Sequence, residues 1–227
     1  MLIVIRHGKT ALNEDGSEKL RGWLPVPLTL EGMDHSKETA FHLEGLEDVK
    51  DLYTSDLVRA VQSAQEVAQV LQMELEPKEE LRDWNYGHLT GIEVNNSTLN
   101  QLFDYMDNPK KKVPDGEPFQ SFLDRTVPFL HELVEDDDLQ VVVTHNRVCT
   151  LLNAIVESKG KSPNMSVLKD KGPIDPSGVM IITPDWTISY KTPLDEEANS
   201  GPVKPAKYDS KNSPDLHAIK KLMKVKS

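Results

Sequence analysis

Short apolar runs alternate along this chain with longer segments in which apolar residues recur every three or four positions. Runs rich in β-branched residues are typical of strands buried on both faces, and the longer segments are typical of helices with one buried side. The predicted strands lie at 1–5, 51–54, 139–144, 179–183 and 187–190, and the predicted helices at 30–46, 55–72, 119–135 and 148–156. This alternation predicts an α/β fold, a three-layer α/β/α sandwich with a mostly parallel central sheet. Ser55 is the expected N-cap of the second helix.

The chain changes character after residue 190. Only 5 of the 23 residues from 191 to 213 are apolar and 3 are proline, a composition typical of a linker. Ser213 and Pro214 then predict a helix start, followed by an apolar stripe and a basic end. We therefore expect an α/β domain over 1–190, and a linker with a short basic C-terminal helix over 191–227 that docks back on the domain.

Composition limits the compartment and excludes a membrane span. Apolar residues make up 37% of the 227 residues, and the longest uninterrupted apolar run is 1–5, whereas a transmembrane helix needs about 20 such residues. Arg6 and His7 interrupt the start of the chain, so no secretory signal is expected. Cys149 is the only cysteine, which excludes an internal disulfide. A cytoplasmic protein is the expectation.

Charge restricts the class of partner. The net charge is −11; the residues after 190 carry 8 Lys and 5 acids, so the first 190 carry 18 bases and 32 acids, a net −14. An acidic body argues against nucleic acid or an anionic membrane as the main partner, because both require a basic face. A small phosphorylated substrate held by a few arginines stays open, and oligomeric state leaves no readable mark.

Polar residues follow three of the predicted strands at the point where each strand ends. The first strand leads into Arg6 and His7, the second into Ser55 and, one helical turn later, Arg59, and the third into His145. Ligands of open α/β sheets bind beyond these carboxyl ends. Arginine matches phosphate oxygens two at a time, and a neutral imidazole among such cations can attack phosphorus. The sequence therefore predicts a phosphoryl-transfer site.

The motifs around these residues resemble those of the histidine phosphatase superfamily, the phosphoglycerate mutase-like group, over about residues 1–185. The matching segments are Arg6-His7-Gly8 with Thr10 and Asn13; Arg21-Gly22-Trp23 with Pro27-Leu28-Thr29 and Gly32; Ser55-Asp56-Leu57 with Arg59-Ala60 and Gln62; and Asp115-Gly116-Glu117 with Arg125. One such triplet is a weak signal, but their order and strand context together are specific.

The resemblance implies a role for each matching residue. His7 would be the phosphorylated nucleophile, and Arg6, Arg59 and His145 would bind the phosphoryl group. Asn13, Arg21, Gly22 and Asn146 would support or line the substrate pocket. Asp83 takes the place of the family's glutamate proton donor, in the segment Leu81-Arg82-Asp83. No metal and no cofactor are expected.

Several positions depart from the family pattern. Asp83 is one methylene shorter than glutamate, and it must be protonated to act as an acid, which Arg82 would oppose. Asn146 stands where the family usually has glycine. Arg21, Arg82, Arg147 and Lys9 could add positive charge near the pocket, which is compatible with a substrate that bears a second anionic group. The physiological substrate is not determined by the sequence.

Four alternatives to a phosphomonoesterase of this group differ in how well the sequence supports them. Cofactor-dependent mutases of the family carry a basic insertion, but the interval 90–115 is short here, and its lysine run 110–112 is predicted to be a solvated loop. The acid phosphatase and phytase branch is not matched by the residues after Gly8. A metal hydrolase is disfavoured because the seven histidines form no H-x-H or H-E-x-x-H pattern. A non-catalytic phosphate-binding module on the same fold stays open.

Overall fold

One mixed sheet organises the part of the chain that the computed structural model describes, residues 1–13, 18–169 and 174–191. Its strands are β1 (Leu2–Arg6), β2 (Val49–Ser55), β3 (Glu76–Lys78), β4 (Leu139–Thr144), β5 (Val179–Thr183) and β6 (Thr187–Lys191). Their order across the sheet is β3-β2-β4-β1-β5-β6. The first four are parallel, whereas β5 and β6 extend one edge in antiparallel pairs. The predicted mostly parallel sheet is confirmed.

Helices cover both faces of the sheet. They are α1 (Leu30–Phe41), α2 (Val58–Leu71), α3 (Asn96–Asp107), α4 (Phe119–Glu135) and α5 (Asn146–Glu157). Side chains alternate along β1, so that Leu2 and Val4 enter the core with α3, α4 and α5, while Ile3 and Ile5 enter the core with α1 and α2. The three-layer α/β/α architecture is therefore confirmed.

Two local predictions were wrong, and two elements were missed. Ser55 does not cap α2, because it is the last residue of β2 and the N-cap position belongs to Leu57. The first helix ends at Phe41 rather than at residue 46. Helix α3 was not predicted at all, since only Thr98, Leu102 and Met106 are buried on it. The short β3 was missed as well.

Two further expectations concern the ends and surface of the described chain. The predicted linker and basic helix fall almost entirely on residues 192–227, which lie outside the described residues, so they stay predictions. The lysine run 110–112 is exposed, as expected for a solvated turn. No helix within the described ranges combines the length and apolarity needed to cross a membrane.

Candidate active site

The carboxyl edge of the sheet brings the two predicted site histidines together. Strands β1 and β4 run parallel with Arg6 opposite Thr144, so the residues that follow them leave the sheet side by side. The backbone N–H of His7 donates to the carbonyl of Thr144 over 2.9 Å. The rings of His7 and His145 lie 5.1 Å apart, and both residues are fully buried.

The hydrogen bonds of His7 define its tautomer. Nδ1 lies 2.7 Å from the carbonyl oxygen of Gly8, which can only accept, so Nδ1 carries the hydrogen. Nε2 then has a free electron pair, and it accepts from Nε of Arg59 over 3.2 Å. Burial, and then the charges of Arg59, Arg21 and Arg6, hold the pKa of His7 well below its usual range. His7 is therefore a neutral imidazole whose Nε2, the nitrogen with the free electron pair, faces Arg59.

The backbone after His7 is held in close packing with α1 and α2. The N–H of Gly8 donates to Oγ of Ser63 over 2.9 Å, and Ser63 in turn pairs with Oγ of Ser36 at 3.0 Å. A Cβ at position 8 would lie 2.3 Å from the carbonyl oxygen of Gly32, so no side chain fits there. The carbonyl that orients the His7 ring is thus fixed by its neighbours on two helices.

Arg59 lies in the first turn of α2 and links His7 to the loop before α1. Its Nη1 and Nη2 donate to the carbonyls of Leu24 (3.1 Å) and Gly22 (2.8 Å), and Nη2 lies 3.9 Å from Oδ2 of Asp83. Burial lowers the pKa of Arg59 to about 10, and the Asp83 carboxylate acts in the opposite direction. The guanidinium is therefore held by two backbone carbonyls and contacts both His7 and Asp83.

Arg6 and Arg21 share one carboxylate oxygen at the mouth of the site. Oε1 of Glu18 lies 3.5 Å from Nη2 of Arg6 and 2.8 Å from Nη2 of Arg21. Arg6 also donates from Nη1 to the carbonyl of Ile174 over 2.9 Å. Within the described ranges, Nε of Arg6 and Nη1 of Arg21 are buried without a partner. Sequence reasoning missed Glu18, which no motif distinguishes from the other 36 acids.

His145 reaches the same space from the start of α5. Its Nε2 lies 2.7 Å from Oγ of Ser55, the hydroxyl that was expected to cap α2. Its Nδ1 is buried with no partner in the described part of the chain. Burial first, and then the charges of Arg59 and His7, keep the pKa of His145 well below its usual range. One ring nitrogen therefore stays available to a bound ligand.

Asp83 lies within reach of the same pocket. Its Oδ1 accepts from the backbone N–H of Trp84 over 2.9 Å, and its Oδ2 faces Arg59. Burial raises the pKa of Asp83, while Arg59, Arg147 and Arg21 act against that shift. Arg82, the cation expected to oppose protonation, instead binds Asp56 through Nε and Nη2. The opposing cations are thus different from the one that sequence reasoning named.

Two side chains donate hydrogen bonds to the backbone carbonyl of Asp83 and fix its position. The carbonyl of Asp83 accepts from Nε1 of Trp23 (2.7 Å) and from Nη2 of Arg125 (2.9 Å). Arg125 also donates to Oε1 of Glu117 over 2.9 Å, and the N–H of Asn85 donates to the same oxygen over 3.0 Å. The segment 115–125, a weak motif in the sequence, therefore helps to fix the backbone of Asp83 through Arg125 and Glu117.

The remaining predicted residues take different places. Oδ1 of Asn13 accepts from the N–H and the hydroxyl of Thr10, so Asn13 stabilises the turn after His7. Gly22 has a positive φ of 46° and offers its carbonyl to Arg59. Asn146 is the first residue of α5, and its Oδ1 is buried without a partner among the residues described. These described residues contain no group of three or more His, Cys, Asp or Glu that could hold a metal ion.

This arrangement suits a tetrahedral dianion. Three guanidinium groups surround a neutral imidazole that has an available electron pair, and a second imidazole and a helix N-terminus border the same space. A buried carboxyl group with a raised pKa, that of Asp83, lies 3.9 Å from Nη2 of Arg59, whose Nε donates to His7. Such a site can bind a phosphoryl group, attack it and protonate the departing oxygen.

Comparisons with known proteins agree on the family and differ on activity. A family model described as the histidine phosphatase superfamily (branch 1) matches residues 2–165. A 2,3-bisphosphoglycerate-dependent phosphoglycerate mutase of Methanosarcina acetivorans is 42% identical over 59 residues, 26% of this chain and 23% of that protein. Phosphoglycerate mutase-like protein 4 of Arabidopsis thaliana is 26% identical over 155 residues, 65% of this chain and 66% of that protein. The chain thus spans less than two thirds of either relative.

Solved structures give the same fold. A mycobacterial glucosyl-3-phosphoglycerate phosphatase superposes with a TM-score of 0.62, covering 79% of this chain and 87% of that one. The two sequences are 20% identical, so this likeness bears on the fold alone.

Proposed function

The chain belongs to the histidine phosphatase superfamily, and from that premise we propose that it is a metal-independent phosphomonoesterase that works through a phosphohistidine on His7. Arg6, Arg59 and His145 bind the phosphoryl oxygens, and Asp83 is the proton donor. The observation that carries the proposal is the state of His7, a neutral ring whose Nδ1 hydrogen is held by Gly8 and whose Nε2 electron pair meets Arg59. Simple phosphate binding would not require this state.

In the first half-reaction, Nε2 of His7 attacks phosphorus and the bond from phosphorus to the leaving oxygen breaks. Asp83 transfers its proton to that oxygen, so the alcohol departs neutral and Asp83 becomes a carboxylate. Arg59 releases Nε2 of His7 as the phosphoryl group enters and pairs instead with the phosphoryl oxygens. Nδ1 of His7 stays bonded to the carbonyl of Gly8 and shares the positive charge of the phosphorylated ring.

In the second half-reaction, water attacks the phosphohistidine and the phosphorus–nitrogen bond breaks. The Asp83 carboxylate takes a proton from that water, and inorganic phosphate is formed. Asp83 then carries its proton again and His7 is again neutral, so the cycle closes with one water consumed per ester. Burial raises the pKa of Asp83, which favours the protonated form that the first half-reaction requires.

A mutase is the second candidate, favoured by the name of the Methanosarcina relative. In a mutase, a second substrate hydroxyl rather than water accepts the phosphoryl group. The interval that should then hold substrate charge contains α3, and Lys111 there pairs with Asp104 of that helix. All three lysines of the run 110–112 are exposed, and Lys111 is paired within its own segment, which supports water as the acceptor.

The experiment that tests the proposal is hydrolysis of p-nitrophenyl phosphate from pH 4 to 9 with EDTA present, comparing the natural sequence with His7→Ala. We expect metal-free turnover and acid-labile labelling from radioactive substrate, with turnover reduced at least about 1,000-fold and labelling absent in the variant. His88→Ala, at an exposed histidine, is the matched control.

Labelling without release of phosphate to water, together with isomerisation of phosphoglycerate, would establish the mutase. Absence of labelling in the natural sequence, with every substrate, would reject the phosphohistidine mechanism.

A further inference from the structure

We propose that Arg147 and Arg21 form a second anion-binding subsite, so that the substrate is a phosphomonoester whose alcohol part carries a carboxylate or a second phosphate. This inference rests on the proposed function and adds the class of leaving group. It begins from the four cations that the sequence places near the pocket, Lys9, Arg21, Arg82 and Arg147. In the structure, carboxylates neutralise the charges of Lys9 and Arg82, whereas the charges of Arg147 and Arg21 are not fully paired.

Lys9 and Arg82 are the neutralised pair. Nζ of Lys9 lies 2.6 Å from Oε1 of Glu31. Arg82 binds both carboxylate oxygens of Asp56 and lies 3.0 Å from Oε1 of Glu79. Neither cation has a free charge to offer a substrate.

Arg147 has no such partner. Its Nη1 donates to the carbonyl of Leu168 over 2.8 Å, and its Nε donates to the hydroxyl of Tyr86 over 3.4 Å. Both acceptors are neutral, and in the described ranges no carboxylate oxygen lies within 4 Å of the guanidinium. Asp83 and Glu18 act on its charge without a direct ion pair, so the half-buried guanidinium keeps room for direct pairing with an anionic ligand group.

Arg21 is partly free as well. It is only 6% exposed, and its Nη1 is buried without a partner among the described residues, while Nη2 shares Oε1 of Glu18 with Arg6. The Glu18 side chain is 47% exposed, so a substrate anion can take its place without displacing buried structure. Glu18 therefore marks a position that a carboxylate already occupies.

Tyr86 lies near both arginines, since burial raises its pKa while the charges of Arg147 and Arg21 act in the opposite direction. A Cβ on Gly22, the residue after Arg21, would lie 3.2 Å from Cδ2 of Tyr86, and Arg147 meets the phenol at its hydroxyl. The ring of Tyr86 lies 5.2 Å from that of Trp84, whose backbone N–H holds Asp83. An alcohol that receives its proton from Asp83 and extends toward Tyr86 would therefore lie near both Arg147 and Arg21.

The charges that act on the pKa of Asp83 also favour a substrate with a second anionic group. Arg59, Arg147 and Arg21 all oppose the rise in the pKa of Asp83 that burial produces. An anionic group bound at Arg147 and Arg21 cancels part of their effect, so that Asp83 is protonated more fully in the substrate complex. A second substrate charge would thus improve the chemical step as well as binding.

The test uses pairs of substrates that differ in one charge. The first pair is 2-phosphoglycolate and 2-phosphoglycolamide, and the second, longer pair is 4-carboxyphenyl phosphate and 4-carbamoylphenyl phosphate. We expect kcat/KM for the carboxylate of at least one pair to exceed that of its amide about tenfold or more at low salt, and the ratio to fall as salt is added. The salt dependence of this ratio can be measured on the natural sequence alone.

Two variants and a control assign the preference to Arg147. Arg147→Gln should bring the ratio of carboxylate to amide close to one, and Arg147→Lys should keep part of it. Lys9→Gln removes a nearby charge that is already paired, so it should keep the full ratio. Equal turnover of acid and amide in both pairs, or an unchanged ratio in Arg147→Gln, would overturn the proposed subsite. Either result would leave the proposed phosphatase function standing. Absence of phosphohistidine in the natural sequence would overturn both.

Discussion

Nε of Arg59 donates a hydrogen bond to Nε2 of His7 over 3.2 Å, so the arginine holds the electron pair that the proposed reaction uses. A cation in that position disfavours protonation of the ring, and it lies where phosphorus must arrive. Because Arg59 is also fixed by the carbonyls of Gly22 and Leu24, it keeps its place while its partner changes from imidazole to phosphate. In the proposed reaction, Arg59 would thus keep the ring of His7 neutral and also bind the phosphoryl group.

Arg59→Gln should weaken the binding of vanadate about 10- to 100-fold, because charge-assisted hydrogen bonds to the oxyanion are lost. Titration of vanadate as an inhibitor measures this change. Arg59→Lys keeps the charge but lacks Nε, so it should recover part of the affinity and less of the turnover. Lys9→Gln is the control for loss of one positive charge, and equal affinity in Arg59→Gln and the natural sequence would contradict the assignment.

Asp83→Asn should slow phenyl phosphate about 100-fold, and p-nitrophenyl phosphate much less, because nitrophenolate departs without a proton. In the natural sequence, activity on phenyl phosphate requires protonated Asp83, so it should fall as pH rises through a pKa above the ordinary range of aspartate. This fall in activity with rising pH should be absent in Asp83→Asn. Asp115→Asn, at an exposed acid, is the matched control. Equal slowing of both substrates would remove Asp83 from the acid role.

Glu18→Gln should tighten the binding of inorganic phosphate and vanadate about threefold or more, since the carboxylate no longer competes for Arg6 and Arg21. Product inhibition by phosphate should become correspondingly stronger. Glu31→Gln, which breaks the nearby ion pair with Lys9, should leave both constants unchanged. Weaker binding in Glu18→Gln would mean that Glu18 orders the arginines rather than competing with the ligand.

Stability should decline below about pH 6.5 through the buried histidines, whose ordinary pKa lies there. The folded protein keeps His145 neutral, whereas the unfolded chain binds a proton, so acid favours unfolding. His145→Gln removes this contribution. The difference in unfolding free energy between the natural sequence and the variant should therefore shrink as the pH falls below 6.5, by up to about 1.4 kcal/mol for each pH unit while the folded protein keeps His145 neutral. Urea titrations at several pH values measure it, and a constant difference would show that His145 titrates normally.

Sequence reasoning was most accurate where one residue pattern determined one element. Helix α4 and strands β4 and β5 were predicted to the residue, because their periodic or continuous apolar positions have no competing explanation. Helix α3 was missed since its buried side consists of Thr98, Leu102 and Met106, which is too narrow a stripe to exceed the surrounding polar residues.

Long-range contacts explain the other errors. The hydroxyl of Ser55 pairs with His145, 90 residues away, so a local capping rule gave it the wrong partner. Glu18 acquires its position only because the folded chain brings Arg6 and Arg21 to one oxygen. The motifs identified which residues lie together in the site. The carboxylate partners of Lys9 and Arg82, and the lack of one within 4 Å of Arg147 among the described residues, required the three-dimensional arrangement.

The order of strands in the sheet has a consequence for how the protein is made. Strand β1, which ends at Arg6, lies between β4 and β5, so both of its partners are encoded more than 130 residues later. Loop closure over such a distance is entropically unfavourable and slow. During synthesis, the N-terminal strand must therefore wait until most of the chain has left the ribosome. We expect the pocket around His7 to be among the last parts of the domain to form, and to be the part that a truncated chain loses first.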